Sequence, residues 1–191
     1  MARVSQAELH ASPQAEEQKV LRVRQLIPPL TLLTPEGETI RAWDFMQKNN
    51  LVIGFLDAQC SRCAAFVQAF SAHAGELREK EAKALFVVPD GFSRSRSSAL
   101  SAEVIVGADI DNQSARRSFG EVVPSAQRPC RGLFVTDRYG ELSSQWIVVR
   151  GHEFPVIQDV LGALDLLDIA CEECFPPHCP RRISMSPRLG L

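Results

Sequence analysis

Two cysteines three positions apart, Cys60 and Cys63, are the residues whose types and spacing most directly suggest chemistry. They follow the apolar run 51–57 (LVIGFLD) and stand where a helix is predicted to begin. At a helix N-terminus, unpaired backbone N–H groups and the helix dipole favour a thiolate over a thiol. A thiolate attacks disulfides, and a second cysteine one helical turn later can release the product. This pattern predicts Cys60 as the attacking thiol and Cys63 as the resolving thiol.

Two other interpretations of this pair remain open at the level of sequence. The cysteines could form half of a metal site, or they could be small residues packed in the core. The redox pair is favoured because the motif follows a predicted buried strand and opens a predicted amphipathic helix. Arg62, between the two cysteines, adds a positive charge that also favours the thiolate.

A second cluster of thiols lies near the C-terminus, in the segment 171–180 (CEECFPPHCP). Thiolate and imidazole are preferred ligands of zinc, so one interpretation is a zinc site. Its ligands would be Cys171, Cys174, His178 and Cys179.

The second cluster also has interpretations without a local zinc site. Cys171 and Cys174 could be a second dithiol that exchanges electrons with the first pair. Because they follow the last predicted helix, the helix dipole disfavours their thiolates. The cluster could also have no chemical role, or both CxxC pairs could form one tetrathiolate metal site.

Composition and charge describe a globular chain with no bias toward nucleic acid or membrane. Of its 191 residues, 45% are hydrophobic and 23% are charged, and the net charge is -2. No apolar run approaches the roughly 20 residues that cross a bilayer, and residues 1–24 lack the apolar segment of a secretory signal. We therefore expect a cytoplasmic protein with neither a nucleic-acid nor a membrane partner. In that compartment, thiols are more often catalytic or metal-binding than structural.

The elements that must position the first pair alternate between strands and helices. One domain is predicted at 25–170, between a polar N-terminal lead-in (1–24) and a Cys-rich irregular tail (171–191). Strand–helix alternation predicts an α/β fold with a mostly parallel sheet, helices on both faces and antiparallel strands at one edge. The predicted elements are a hairpin around Pro35-Glu36-Gly37, a helical turn at 43–49, strands at 51–57, 82–90 and 103–109, helices at 63–77 and 112–120, a hairpin at 131–150 and a C-terminal amphipathic helix at 154–170.

Three segments resemble the thioredoxin-like superfamily, and in particular its redoxin (AhpC/TSA, peroxiredoxin-like) family. Residues 51–66 (LVIGFLDAQCSRCAAF) resemble the strand–CxxC–helix start of thioredoxin-like proteins, and residues 129–142 (PCRGLFVTDRYGEL) resemble a peroxiredoxin strand entry. Residues 30–45 resemble the opening of redoxins. The chain is also similar to bacterial redoxin-like proteins that end in a helix and a CxxC.

The resemblance implies a thioredoxin-like fold with a mixed central sheet and a redox-active disulfide in place of a bound cofactor. It implies either thiol–disulfide exchange or antioxidant peroxidase activity. The substrate would be a protein or small-molecule disulfide, or a peroxide, with a thiol as reductant. A third alternative is a non-catalytic thioredoxin-fold module that binds zinc through its cysteines.

The resemblance also implies roles for residues around the first pair. Arg131 matches the arginine that lies over the reactive thiolate in peroxiredoxins, and Pro129 matches the loop proline placed against the CxxC. Asp57 matches a carboxylate that accepts a proton from the second cysteine, although a capping role is an equal alternative. Gln59 stands where thioredoxins carry a tryptophan, so the surface that recognises substrate should differ.

One departure from the family pattern bears on activity. Peroxiredoxins place a proline and a threonine or serine shortly before the peroxide-reacting cysteine. Residues 56–59 (LDAQ) contain neither. Thiol–disulfide exchange is therefore the favoured activity, and peroxidase activity is the alternative.

Overall fold

The computed structural model describes residues 21–56, 61–88, 100–110, 115, 118–119, 131–148 and 154–169. The strands are β1 (Thr31–Leu33), β2 (Thr39–Arg41), β3 (Asn50–Phe55), β4 (Ala82–Val88), β5 (Val104–Asp109), β6 (Arg131–Thr136) and β7 (Leu142–Val148). The helices are α1 (Ser61–Ala72), α2 (Ala74–Glu79) and α3 (Ile157–Ile169), with a 3-10 helix at Ala42–Phe45.

The strands form one mixed sheet in the order β2-β1-β5-β4-β3-β6-β7. This confirms the predicted α/β fold and both predicted hairpins, with left-handed glycines at the turns (Gly37, φ 88°; Gly140, φ 80°). The expectation of a mostly parallel sheet is wrong, because only β3–β4 and β4–β5 pair in parallel. The N-terminal hairpin adds antiparallel strands beside β5, and the second hairpin adds them beside β3. Among the described strands, the parallel pairing that strand–helix alternation predicts is therefore limited to β3, β4 and β5.

Strand β3 is the buried centre of the sheet, as its continuous apolar run predicts. All six of its residues are buried. Because side chains alternate along a strand, Val52 points to one face while Leu51 and Ile53 point to the other. Each face therefore has its own hydrophobic core.

The two faces are covered by different elements. The first face packs against α1, α2 and α3, through side chains such as Val67, Leu77 and Val160. The second face packs against Leu21, Ala42 of the 3-10 helix, and Ala115 and Phe119. The N–H of Phe119 donates to the carbonyl of Ala115 at 3.0 Å, an i to i-4 helical bond. Helical segments thus lie on both faces of the sheet.

The helix predicted at 63–77 is interrupted at His73. Its N–H donates to the carbonyls of Ala69 and Phe70, and the chain then starts α2 at Ala74. The apolar spacing missed this break because Leu77, in α2, still points into the same core. The helical turn predicted at 43–49 is present as the 3-10 helix at Ala42–Phe45. None of the helices within the described ranges is long and apolar enough to cross a membrane.

Glu103 is a charged residue held inside this framework. Its side chain is 6% exposed, and Arg78 of α2 donates to its Oε1 from Nε at 2.9 Å. Burial raises the pKa of Glu103, but the hydrogen bond and the charge of Arg78 outweigh burial, so the net pKa lies below its ordinary value of 4.5. The ion pair therefore fastens α2 to the residues that precede β5.

Gly54 of β3 allows a close approach that a larger residue would block. A Cβ at this position would lie 2.6 Å from Cδ1 of Phe86 and 3.2 Å from Cδ1 of Leu133.

We expect Gly54→Ala to lower the free energy of unfolding by about 1–3 kcal/mol, since the ring of Phe86 must shift within a packed core. Urea denaturation measures this change. Gly162→Ala is the matched control, because its Cβ would meet nothing within 4 Å, so in α3 it should raise stability by about 0.5–1 kcal/mol. Equal effects of the two variants would contradict the argument.

Arg78→Met should destabilise the protein in a pH-dependent manner. A carboxyl whose folded pKa is lowered stabilises the fold above its unfolded pKa, and this contribution is lost as pH falls through the folded pKa. We expect a loss of about 2 kcal/mol at pH 7 that shrinks as pH falls through the lowered folded pKa of Glu103, because the protonated carboxyl no longer pairs with Arg78. Urea denaturation across this pH range measures it. In a Glu103→Gln background the same substitution should cost little, and a pH-independent loss there would refute the pairing.

Candidate active site

The candidate site lies at the carboxyl end of the central strand. Leu56 follows β3, is fully buried, and its N–H donates to the carbonyl of Val87 at 2.9 Å. The chain next described is Ser61, the first residue of α1. The described part of α1 is therefore separated by five residues from the end of a buried strand, which agrees with the predicted strand-to-helix transition. Asp57, Gln59 and Cys60 themselves lie outside the described residues.

Cys63 lies in the first turn of α1 and is 1% exposed. It belongs to the core of the first face, together with Leu56, Val67 and Phe70. Arg62, its neighbour, is exposed on the surface of the helix. The third position of the helix is thus an enclosed thiol position, one helical turn after position 60.

A cluster of phenylalanine rings holds α1 in place. The ring of Phe66, three residues after Cys63, stacks on Phe154 with centroids 4.6 Å apart and planes at 17°. Phe66 also contacts Phe70 at 5.0 Å and Phe86 of β4 at 6.0 Å, both edge to face. These contacts fix the first half of α1 between the sheet and the segment that leads into α3.

The register of β3 and β6 brings Arg131 to the same end of the sheet. Phe55 pairs with Gly132, so the backbone of Arg131 is one position beyond, level with Leu56. The backbone of Arg131 therefore lies beside the chain that leads into the Cys60–Cys63 motif. The side chain of Arg131 and the residues Pro129 and Cys130 lie outside the description.

The second cysteine cluster also lies outside the described residues. Its members, Cys171, Cys174, His178 and Cys179, all follow Ile169, the last described residue. The course of α3 is nevertheless defined. It starts just after Phe154, beside α1, and Asp165 near its other end contacts Lys80, which follows α2. Helix α3 thus ends at the opposite end of the sheet from Cys63. Within the ranges described, no group of three or more metal-ligating side chains is assembled.

Two supporting residues of this site were not singled out from the sequence. Phe154 stacks on α1, but in sequence it reads only as the start of an amphipathic helix. Gly54 lies in β3, two residues before Leu56, and lets the ring of Phe86 approach the strand. A glycine inside an otherwise β-branched strand is a signal of close approach and could have been recognised.

The AhpC/TSA family model matches residues 23–145, well over half of the chain. The chain belongs to the AhpC/TSA family. Members of this family are thiol-dependent peroxidases or oxidoreductases, so the family assigns thiol redox chemistry in general terms. The matched range contains the β3–α1 junction and both hairpins up to Gln145 of β7.

Solved structures support the fold of this AhpC/TSA chain. Mycobacterium tuberculosis AhpC is 20% identical with a TM-score of 0.65, over 83% of this chain and 100% of that one. Plasmodium vivax 2-Cys peroxiredoxin, reduced, is 13% identical with a TM-score of 0.61, over 77% and 82% of the two chains. A putative thiol:disulfide interchange protein DsbE from Chlorobium tepidum is 18% identical with a TM-score of 0.56, over 75% and 99%. None of the curated proteins compared with the chain matches it significantly.

Phe154→Ala should loosen α1 more than it unfolds the protein. Removing a partly buried ring that stacks on Phe66 should cost about 2 kcal/mol, and the loss falls on the helix that carries Cys63. Hydrogen exchange of the amides in 61–72 should accelerate, while exchange in β4 changes less. Val156→Ala is the control, because that side chain is 60% exposed. Equal acceleration in both variants would show that the stack does not hold the helix.

Proposed function

We propose that this protein is a thiol–disulfide oxidoreductase in which Cys60 is the attacking thiol and Cys63 the resolving thiol. The observation that carries the proposal is the position of Cys63. It lies one helical turn after position 60, in the first turn of α1, and is enclosed by apolar side chains. An enclosed second thiol is protected from external reagents, and a separation of one helical turn supports its role in attacking a sulfur attached to residue 60.

The reaction balances as two successive exchanges. The Cys60 thiolate attacks one sulfur of a substrate disulfide, the substrate S–S bond breaks, and one substrate thiolate leaves. The Cys63 thiolate then attacks the Cys60 sulfur and releases the second substrate thiolate. Two electrons pass from the dithiol to the substrate, and a thiol reductant later returns the Cys60–Cys63 disulfide to the dithiol.

The start of α1 supplies the electrostatic support for this step. Residue 60 immediately precedes the helix, where unpaired backbone N–H groups stabilise a negative sulfur. In this proposal Arg131 adds a positive charge, because its backbone lies level with Leu56 at the entrance to the motif. Arg62 is exposed, so water screens its contribution. In the same proposal Pro129 and Gln59 border the substrate, and Asp57 serves Cys63 as a proton acceptor.

Thiol peroxidase activity is the second candidate, because the AhpC/TSA family includes thiol peroxidases as well as oxidoreductases. Two of the similar structures are named as a peroxiredoxin and as AhpC. In that reaction the Cys60 thiolate attacks a peroxide oxygen, the O–O bond breaks, and the other oxygen leaves as water or an alcohol after protonation; the resulting sulfenic acid condenses with Cys63 to a disulfide and water. Residues 56–59 lack the threonine and proline of peroxiredoxins, whereas the similarity to a DsbE protein agrees with exchange.

The decisive experiment is reduction of an insulin disulfide with dithiothreitol as the electron donor. We expect Cys60→Ser to lower the rate by about 100-fold or more, because the attacking thiolate is lost. Cys63→Ala should accumulate mixed disulfides with the substrate. The double variant Cys171→Ser/Cys174→Ser is the control and should retain activity, since dithiothreitol can reduce the first pair directly. Alkylation of Cys60 should have its midpoint below the ordinary thiol pKa of about 8.5.

The same preparations separate the alternatives. Fast consumption of hydrogen peroxide that requires Cys60, with no insulin reduction, would identify a peroxidase. Stoichiometric zinc that is lost in Cys171→Ser, with neither activity present, would identify a metal-binding module. An insulin reductase whose rate is unchanged in Cys60→Ser would refute the proposed mechanism.

A further inference from the structure

A shallow apolar groove lies at the end of the sheet opposite to the β3–α1 junction. It is open to solvent. We name it the Trp43 groove, and its main lining residues are Leu26, Trp43, Met46, Asn49, Arg138 and Tyr139. Three of its large apolar side chains are strongly exposed: Leu26 at 63%, Trp43 at 51% and Tyr139 at 44%. A soluble protein seldom leaves such a cluster uncovered without a binding partner for it.

Helix α3 delivers the C-terminal segment to the same end of the molecule. Asp165 contacts Lys80, and the next residue, Glu81, contacts two residues that line the groove. The side chain of Asn49 donates to the carbonyl of Glu81 at 3.1 Å, and Arg138 lies 3.9 Å from its carboxylate. The last turn of α3 also exposes apolar side chains, with Leu166 at 47% and Ile169 at 73%. Apolar surface is therefore exposed on both sides of the Lys80–Glu81 turn.

We propose that the C-terminal segment of this chain covers the Trp43 groove, anchored by Phe175, Pro176 and Pro177. The chemistry of the groove matches this occupant. Consecutive prolines favour an extended polyproline II conformation, which loses little entropy on binding and packs against aromatic-lined grooves. Trp43 and Tyr139 supply the aromatic walls, and the preceding phenylalanine supplies a large apolar anchor.

The length of the segment also fits. Phe175 is six residues beyond Ile169, and six extended residues cover about 20 Å. Asp165, one helical turn before Ile169, already touches the residue adjacent to the rim of the groove. In this proposal the anchor extends from the intact end of α3 past Lys80 and Glu81 to the groove.

Docking of the segment would fix the place of the second cysteine cluster. Cys171 and Cys174 lie between Ile169 and the anchor, so they would be held at the end of the sheet where β3 begins. Cys63 lies beyond the other end of β3, a strand of six residues that spans about 17 Å. The second cluster would then be a separate site and not a direct partner of Cys63 in the same subunit.

Fluorescence of Trp43 in the full chain tests this proposal. The chain has two tryptophans, so Trp146→Phe leaves Trp43 as the only reporter. In that background Phe175→Ser should raise the acrylamide quenching constant about twofold and shift the emission to the red. The reason is that Trp43, once the segment no longer covers it, is half-exposed to water. Leu189→Ser is the matched control in the same tail and should change neither value. Hydrogen exchange of residues 42–49, measured without the Trp146 substitution, should accelerate only in Phe175→Ser.

The outcomes separate the occupants of the groove. Unchanged quenching and exchange in Phe175→Ser would overturn the proposal. Protection of Trp43 that disappears on dilution would also overturn it, because a second copy would then be the occupant. Protection that is independent of concentration and lost only in Phe175→Ser would support it. None of these measurements depends on Cys60, so their failure leaves the proposed redox activity untouched.

Discussion

The whole arrangement depends on burying β3 on both faces at the centre of the sheet. A strand enclosed in this way cannot shift its register by one residue without moving its side chains into the wrong core. The position of its carboxyl end is therefore fixed. Only five residues separate that end from α1, so the position of the start of the helix is also closely constrained. The same register fixes the backbone of Arg131, since Phe55 and Gly132 are paired.

The direction of the helices gives the two ends of the sheet different properties. Helix α1 starts, and the chain enters α3, near the end where Cys63 is enclosed. Both α2 and α3 finish at the other end, around Lys80, where large apolar side chains remain exposed. The Phe66–Phe154 stack connects the two helices near the first end. The described framework thus combines an enclosed thiol position with a remote surface suited to binding.

The sequence was informative where a pattern depends on local physics. Continuous apolar residues predicted β3 and β4 as buried strands, and the glycines of two turns marked both hairpins. The mixed sheet was harder, because the pairing of β1 with β5 depends on residues some 75 positions apart. The break between α1 and α2 at His73 could not be predicted from the apolar spacing, because Leu77 remains in the same core. At the candidate site, the motif predicted that Cys63 lies buried near the start of a helix, whereas the contact of Phe154 depends on packing between distant segments. Asp57, Gln59, Cys60 and Pro129 remain sequence-based predictions.

The pairing of β3 has a consequence for how the protein is made. One neighbour of this strand, β4, leaves the ribosome soon afterwards, but the other, β6, starts at Arg131, about 75 residues later. At translation rates of about 5–20 residues per second, β3 waits several seconds for its second neighbour. During that interval the nascent chain already carries both thiols of the motif. Until β6 and α3 have been made, Cys63 lacks part of the apolar cluster that encloses its thiol in the folded chain.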